Sequence, residues 1–272
     1  RRQRQMCIRD RIYTNLDMDA QKKLYNIVNT DYYVAFPNDT MQVATTVVDP
    51  NNGKVIAQIG GRKTGDVTYG LNRAVQTDRS SGSTAKPVMD YAPAIEYLDW
   101  ATYHALKDTK FYYPGTSTQL YDFDNRYKGT ITMRQALIES RNVPAIRALQ
   151  AVGMTKAKSF LSNLGYDTKG LSLQNGIGLP ASTLQNAAAY AAFANGGTYY
   201  GPTYIDKIET ADGQVNDYSS SGKRVMQSST AYMITDMLKQ VITSSNGSGT
   251  AANISGLYQA GKTCLLYTSP SP

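Results

Sequence analysis

The chain has 272 residues, 41% of them apolar, enough to bury a substantial core as one large or two modest domains. Its formal charge of +7 sits largely at one end: residues 1–11 hold five Arg and one Asp, and the rest carries 23 basic against 20 acidic residues. With no basic stripe and no zinc-type spacing, that balance speaks against a nucleic-acid partner.

Cysteines occur only at positions 7 and 264, and His104 is the only histidine. The body between the cysteines therefore has no thiol nucleophile, no internal disulfide and no multi-histidine metal site. A Ser-His-Asp triad would rest entirely on His104, whose setting, "LDWATYHALKD", reads as a helix-to-loop position better suited to a structural role. No apolar run approaches the roughly 20 residues that span a bilayer.

In chain order, "IYTNLDMDAQKKLYNIVN" predicts a short strand and then a helix with Leu24, Ile27 and Val28 on one face. "MQVATTVVDPNNGKVIAQIGG" predicts a hairpin about the turn "DPNNG", with apolar residues on both faces as in a helix-covered central sheet. A polar stretch follows, then a helix opening near Ser83, where Pro87 is acceptable only in the first turn. "YYPGTSTQLYDFDNRYKG" reads as an aromatic loop, and "TITMRQALIES" as a helix with a Thr132–Gln135 capping pattern. "RNVPAIRALQAVG" restarts a helix at Pro144, and "TKAKSFLSNLG" and "STLQNAAAYAAFANGG" are two more with glycine stops. A hairpin ("TYYGPTYIDKIETADGQVNDY"), an amphipathic helix ("SSTAYMITDMLKQVITS"), a Gly/Ser/Asn loop and a returning strand ("LYQAGKT") complete the body. The order predicts an α+β architecture: an antiparallel sheet closed by a distant strand, flanked by helices, with a helical subdomain between.

Three short elements carry the chemistry. Ser83 and Lys86 stand three apart, so on a helix they share a face, and a serine hydroxyl needs such a base to become a nucleophile. Lysine acts as a base only when neutral, which requires burial and a nearby positive charge such as Lys262. S-x-x-K alone is a common pattern. It gains weight from "SRN", Ser140 to Asn142, between two helices, and from "KT", Lys262-Thr263, on the last predicted strand. S-x-x-K, S-x-N and K-T-G together mark penicillin-binding proteins and serine β-lactamases.

On "GSTAKP", "SRNVPA", "FANGGTYYGPTYI", "YTNLDMDAQ" and "VVDPNNGKVIAQIGG", the body resembles the transpeptidase domain of class A high-molecular-mass penicillin-binding proteins of streptococcal type, over about Ile12 to Thr263. The resemblance implies a penicillin-binding-protein/serine β-lactamase fold and a D,D-transpeptidase that needs no cofactor and no metal. Ser83, Lys86 and Ser140 would be catalytic, as nucleophile, base and proton relay. Asn142, Lys262 and Thr263 would bind substrate, and the oxyanion hole would use the Ser83 N–H and one from about residue 265. Partners would be peptidoglycan stem peptides on lipid II-derived glycan strands, β-lactam antibiotics, and proteins of cell division or elongation. The site of action would be the outer face of the bacterial membrane, through an anchor and glycosyltransferase domain preceding residue 12.

The third motif reads K-T-C where the family has K-T-G. Residues 1–11 and 264–272 read as flanks foreign to the domain. The transpeptidase domain would then be 12–263, lacking its C-terminal strands, and inactivity of the chain as it stands is one expectation. Competing readings of the same residues are a serine β-lactamase or D,D-carboxypeptidase, which passes the acyl group to water, and a non-catalytic penicillin-binding sensor.

Overall fold

A computed structural model of the chain describes residues 10–65, 67, 69–76 and 79–264. Of the flanks expected at 1–11 and 264–272, residues 1–9 and 265–272 lie outside them. The described residues fall into two compact units, one built from the chain up to residue 76 with 182–224, the other from 79–181 with 225–264.

In the first unit, strand Arg11–Thr14 pairs antiparallel with Ile205–Glu209, which pairs on its other side with Val215–Asp217. The pairing begins with Arg11 opposite Glu209, one residue ahead of the border expected at 12. Helix Met18–Asn29 starts where the Asp17 carboxylate accepts the N–H groups of Asp19 and Ala20, satisfying donors that no helical carbonyl can reach. Of its expected apolar face only Val28 is fully buried.

The hairpin forms as Thr45–Val48 against Val55–Ile59, with Gly53 at φ +76° in the turn. Val55, Ala57 and Ile59 are buried, while Ile56 and Gln58 are only half covered. The expectation of two covered faces is thus corrected: burial alternates, as in a sheet with one core face. Helix Thr183–Ala194 is opened by a reciprocal Ser182–Gln185 capping box.

The second unit is organised around helix Asn142–Val152, whose Val143, Pro144, Ala145, Ile146, Ala148 and Leu149 are all buried. Val143 and Ile146 pack with Phe111, Tyr113 and Leu120, and half-buried Leu173 and Ile177 close the cluster. Removing that much apolar surface from water is the main source of the unit's stability. A side chain at Gly176 would begin 2.7 Å from Asp90 Oδ1 and 2.8 Å from Ile146 Cδ1, so the absence of a Cβ there lets the chain press onto this helix. Strand Ala105–Asp108 pairs with Gly129–Thr132. Between them the stretch read as an aromatic loop contains a small hairpin, Phe111–Tyr112 with Gln119–Leu120.

Helix Met133–Ile138 begins at Thr132, whose hydroxyl accepts the Gln135 N–H. The Gln135 side chain donates to Glu139 instead of returning to Thr132, so only half of the expected capping box forms. Helix Ser228–Thr243 buries Ile234, Met237, Leu238 and Val241, and its first turn is held by Glu96, which accepts from the Gln227 N–H and the Thr230 hydroxyl.

Two parts of the expected architecture are corrected. Residues 257–263 run without strand pairing, tied by the Gly261 N–H to the Leu238 carbonyl, because no strand among the described residues lies beside them. The strands pair as five antiparallel sheets of two or three strands among the described residues, with a Lys54–Thr203 bridge linking the hairpin to the chain that leads into Ile205–Glu209, in place of one continuous central sheet. The class is α+β as expected.

Candidate active site

The site is assembled in the second unit from three places in the chain. Gly82, at φ +52°, turns the backbone into a short 3-10 segment, Gly82–Thr84, that carries Ser83. A left-handed conformation at the residue before Ser83 suits glycine and strains any other residue. The helix then continues through a π-helical stretch, Lys86–Tyr91, into the α-helix Ala92–Leu98, with the Ala92 N–H donating to the Pro87 carbonyl five residues back. Pro93 gives a physical reason for the wide turn: it has no N–H for the Met89 carbonyl, and its ring would crowd that oxygen in a regular α-turn. The helix begins at Pro87's own turn, as its sequence requires.

The second piece is the "SRN" turn. Helix Met133–Ile138 ends with the Ser140 N–H on the Leu137 carbonyl, 3.1 Å, and the Arg141 N–H on the Ala136 carbonyl, 2.9 Å. These are the paired bonds of a Schellman stop, in which the left-handed position is usually glycine. Here that position is Ser140, at φ +57°. A non-glycine residue there carries strain of roughly 1–2 kcal/mol, and the turn brings the Ser140 hydroxyl and carbonyl to Lys86. Asn142 follows as the first residue of helix Asn142–Val152.

The geometry brings four predicted residues into one cluster. Lys86 is fully buried, and its Nζ donates to the Ser140 carbonyl (2.6 Å), the Asn142 Oδ1 (2.7 Å) and, at 3.3 Å, the Ser140 Oγ. Lys262 Nζ donates to the same Ser140 Oγ at 2.7 Å and to the Thr263 carbonyl at 3.0 Å. Ser140 Oγ is thus shared between two lysines. Ser83 stands one turn before Lys86, half-buried, and among the described residues no hydrogen bond joins its hydroxyl to Lys86. Thr263 belongs to this segment, but its hydroxyl is engaged by Ser248 at 2.7 Å. Residue 265, the expected second oxyanion donor, lies outside the described residues.

Burial pulls Lys86 down to about 7, assisted by the charge of Lys262. Burial likewise brings Lys262 down to about 8. A lysine poised near 7 is part neutral at physiological pH, and its amine lone pair can then accept a proton. His104 plays no part here, since its ring stacks on Trp100 at 3.6 Å and 10°.

Several residues of this neighbourhood carry no motif signal. Asp90, one turn beyond Lys86, is fully buried with both carboxylate oxygens unpartnered. Burial raises it well above the usual carboxylate range, against the pull of Lys86. Its spacing of four from Lys86 is the one sequence hint that both share a face. Arg141, the middle residue of "SRN", is fully buried among Asp108, which ends a strand, and Asp122 and Asp124, from the stretch that reads as an aromatic loop.

A family model for the penicillin-binding protein transpeptidase domain matches residues 43–264. The chain is 49% identical over 263 residues to penicillin-binding protein 1A of Streptococcus pneumoniae, covering 93% of this chain and 36% of that protein. It is 48% identical to penicillin-binding protein 1A of Streptococcus oralis, covering 93% and 41%. It thus spans about two-fifths or less of the length of these relatives. Among solved structures, the PonA1 protein of Mycobacterium tuberculosis in complex with penicillin V superposes with a TM-score of 0.72 at 22% identity, over 94% of this chain and 69% of that one. With the S-x-x-K helix, the "SRN" turn and the Lys262 segment gathered on one another as described, the chain belongs to the penicillin-binding protein transpeptidase domain family.

Proposed function

We propose that this chain is the D,D-transpeptidase domain of a peptidoglycan synthase, acting outside the cytoplasm through an acyl-enzyme on Ser83. The observation that carries the reading is the buried Lys86, drawn down to about 7 and held on Ser140 and Asn142 beside a second lysine. A buried cation is costly, and a cluster that keeps two lysines together there favours proton transfer over packing.

In the proposed cycle Ser83 Oγ bonds to the carbonyl carbon of the penultimate D-Ala of a stem peptide, and its proton passes to the neutral Lys86 Nζ. The carbon–nitrogen bond to the terminal D-Ala then breaks. The leaving nitrogen takes a proton through the Ser140 hydroxyl, which Lys86 and Lys262 both reach. An acceptor amine from a neighbouring stem attacks the ester, forming the cross-linking amide and returning the proton to Ser83. Asn142 orients Lys86 and meets the substrate amide. Lys262, with Thr263 beside it, meets the terminal carboxylate, a task for a charge-assisted donor. β-Lactams, one of which is held in the Mycobacterium tuberculosis PonA1 complex with penicillin V, would acylate the same serine.

The fate of a bound penicillin tests the reading. The experiment uses the 272-residue chain, and the chain extended past residue 264 by the segment that follows in the Streptococcus pneumoniae relative. Fluorescent penicillin is expected to label covalently and to be released over hours. A stem pentapeptide with an amine acceptor is expected to give D-Ala and an amide in equal amounts. Turnover of excess penicillin within seconds would assign a hydrolase, and labelling of neither protein would overturn the serine acyl-enzyme.

A further inference from the structure

The middle residue of "SRN" has no place in the chemistry above, yet it is among the largest fully buried side chains of the protein. Arg141 Nε donates to Asp108 Oδ2 at 2.9 Å, and Nη1 donates to both oxygens of Asp124 at 2.9 Å. Nη2 donates to the Arg126 carbonyl and lies 3.4 Å from Asp122 Oδ2. The Phe123 ring lies 5.9 Å from the guanidinium carbon. Three carboxylates and a carbonyl thus converge on one planar fork, which a point-charge ammonium cannot satisfy in the same way. All the acceptors but Asp108 belong to residues 122–126, the loop between strands Gln119–Leu120 and Gly129–Thr132.

That loop also grips Asn142. Asp122 Oδ1 accepts the Asn142 backbone N–H, and the Tyr121 carbonyl accepts Asn142 Nδ2 at 2.8 Å. A carboxamide has one donating and one accepting end. With the donating end held by a carbonyl, Oδ1 must face the other way, and there it receives Lys86 Nζ at 2.7 Å. A chain of contacts therefore runs from Arg141 through the loop to the amide that orients the base. Burial, with Asp108 pushing the same way, raises Asp122 to about 6, while the Arg141 guanidinium pulls it down.

We propose that Arg141 is a positioning residue, which clamps residues 121–126 onto the "SRN" turn and so fixes the side-chain oxygen of Asn142 on Lys86. The proposal rests on the acyl-enzyme reading of the same site.

The test is the acylation rate by fluorescent penicillin in wild type, Arg141→Lys, Asn142→Ala and the double variant, with thermal melts of each. Arg141→Lys is expected to acylate about 10- to 100-fold more slowly, with the loss in the acylation step and not in initial penicillin affinity. In the Asn142→Ala background the same substitution is expected to add less than about threefold, because its effect passes through that amide. Arg141→Lys acylating at the wild-type rate overturns the proposal. So does a double variant slowed by the full product of the two single effects, the result for an arginine that serves only folding. If Arg141→Lys does not fold, Asp124→Asn takes its place. It removes the most exposed of the three carboxylates and is expected to slow acylation about three- to tenfold, again only where Asn142 is present; an unchanged rate overturns the proposal. Failure of the wild type to label both as the 272-residue chain and in its extended form defeats the acyl-enzyme reading, and this proposal with it. Labelled wild type with unaffected variants defeats the positioning role alone.

Discussion

Replacing Ser83 by alanine is expected to leave no covalent penicillin adduct, a loss of on the order of 10⁴-fold or more in acylation. The protein's stability should change by no more than about 0.5 kcal/mol, as for a surface substitution. The two halves of this expectation come from separate observations. Ser83 leads the helix on which Lys86 lies one turn further along, and no other serine shares that relation to Lys86. Its side chain is half-buried and none of the hydrogen bonds that hold the 3-10 turn comes from it: the turn is closed by the Ala85 N–H on the Gly82 and Ser83 carbonyls. Adduct mass together with a melting curve checks both. A residual adduct on Ser83→Ala would move the nucleophile to another residue.

Lys86→Met should show the opposite pairing of effects, a large loss of rate with a pH-dependent gain in relative stability. Removing a general base costs about 10²- to 10⁴-fold, measured as the acylation rate. The stability effect follows from where the proton sits in each state. Burial, then Lys262, lowers Lys86 to about 7 in the folded protein, whereas the unfolded chain holds its proton up to the ordinary lysine value near 10.4. Between those two values the unfolded state binds more protons, so wild-type stability rises with pH across that window and is fully penalised below it. Methionine removes the titration. The stability of wild type relative to Lys86→Met should therefore climb by on the order of several kcal/mol from pH 7 to pH 10. Chemical denaturation of both proteins at the two pH values checks it, and a constant difference would mean that Lys86 is charged in the folded state. The acceptors left behind on Ser140 and Asn142 shift the absolute difference at every pH, not its slope.

How much of this was legible in the sequence depends on whether the relevant physics is local. Ser83 and Lys86 are three residues apart, and their relation needs only a helix start, which Pro87 supplies. "SRN" sits between two helices, and its hydrophobic neighbours place it at a turn. Motif order alone points to Lys262, and the shared hold of both lysines on Ser140 cannot be read from spacing. The π-helical turn was hidden because Pro93 acts on a carbonyl four residues earlier, an effect no amphipathic pattern records. Asp90 looked like an ordinary polar residue, since its burial depends on Gly176 pressing close from a segment almost ninety residues away. Arg141 and its three aspartates were invisible for a related reason: the acids come from the end of one strand and from a loop, and only the folded chain converges them. The misread strand at 257–263 shows the limit from the other side. Strand propensity needs a neighbour to pair with, and among the described residues that segment has none.

The central claim is that Ser83 is activated by a neutral Lys86 beside a charged Lys262, and the pH dependence of penicillin acylation tests it most directly. The rate should rise as Lys86 loses its proton at about 7 and fall as Lys262 loses its own at about 8. The expected profile is a narrow bell, whose two limbs belong to the lysine pair as a unit. A flat profile, or a single rise near the ordinary lysine value of about 10.4, would contradict it.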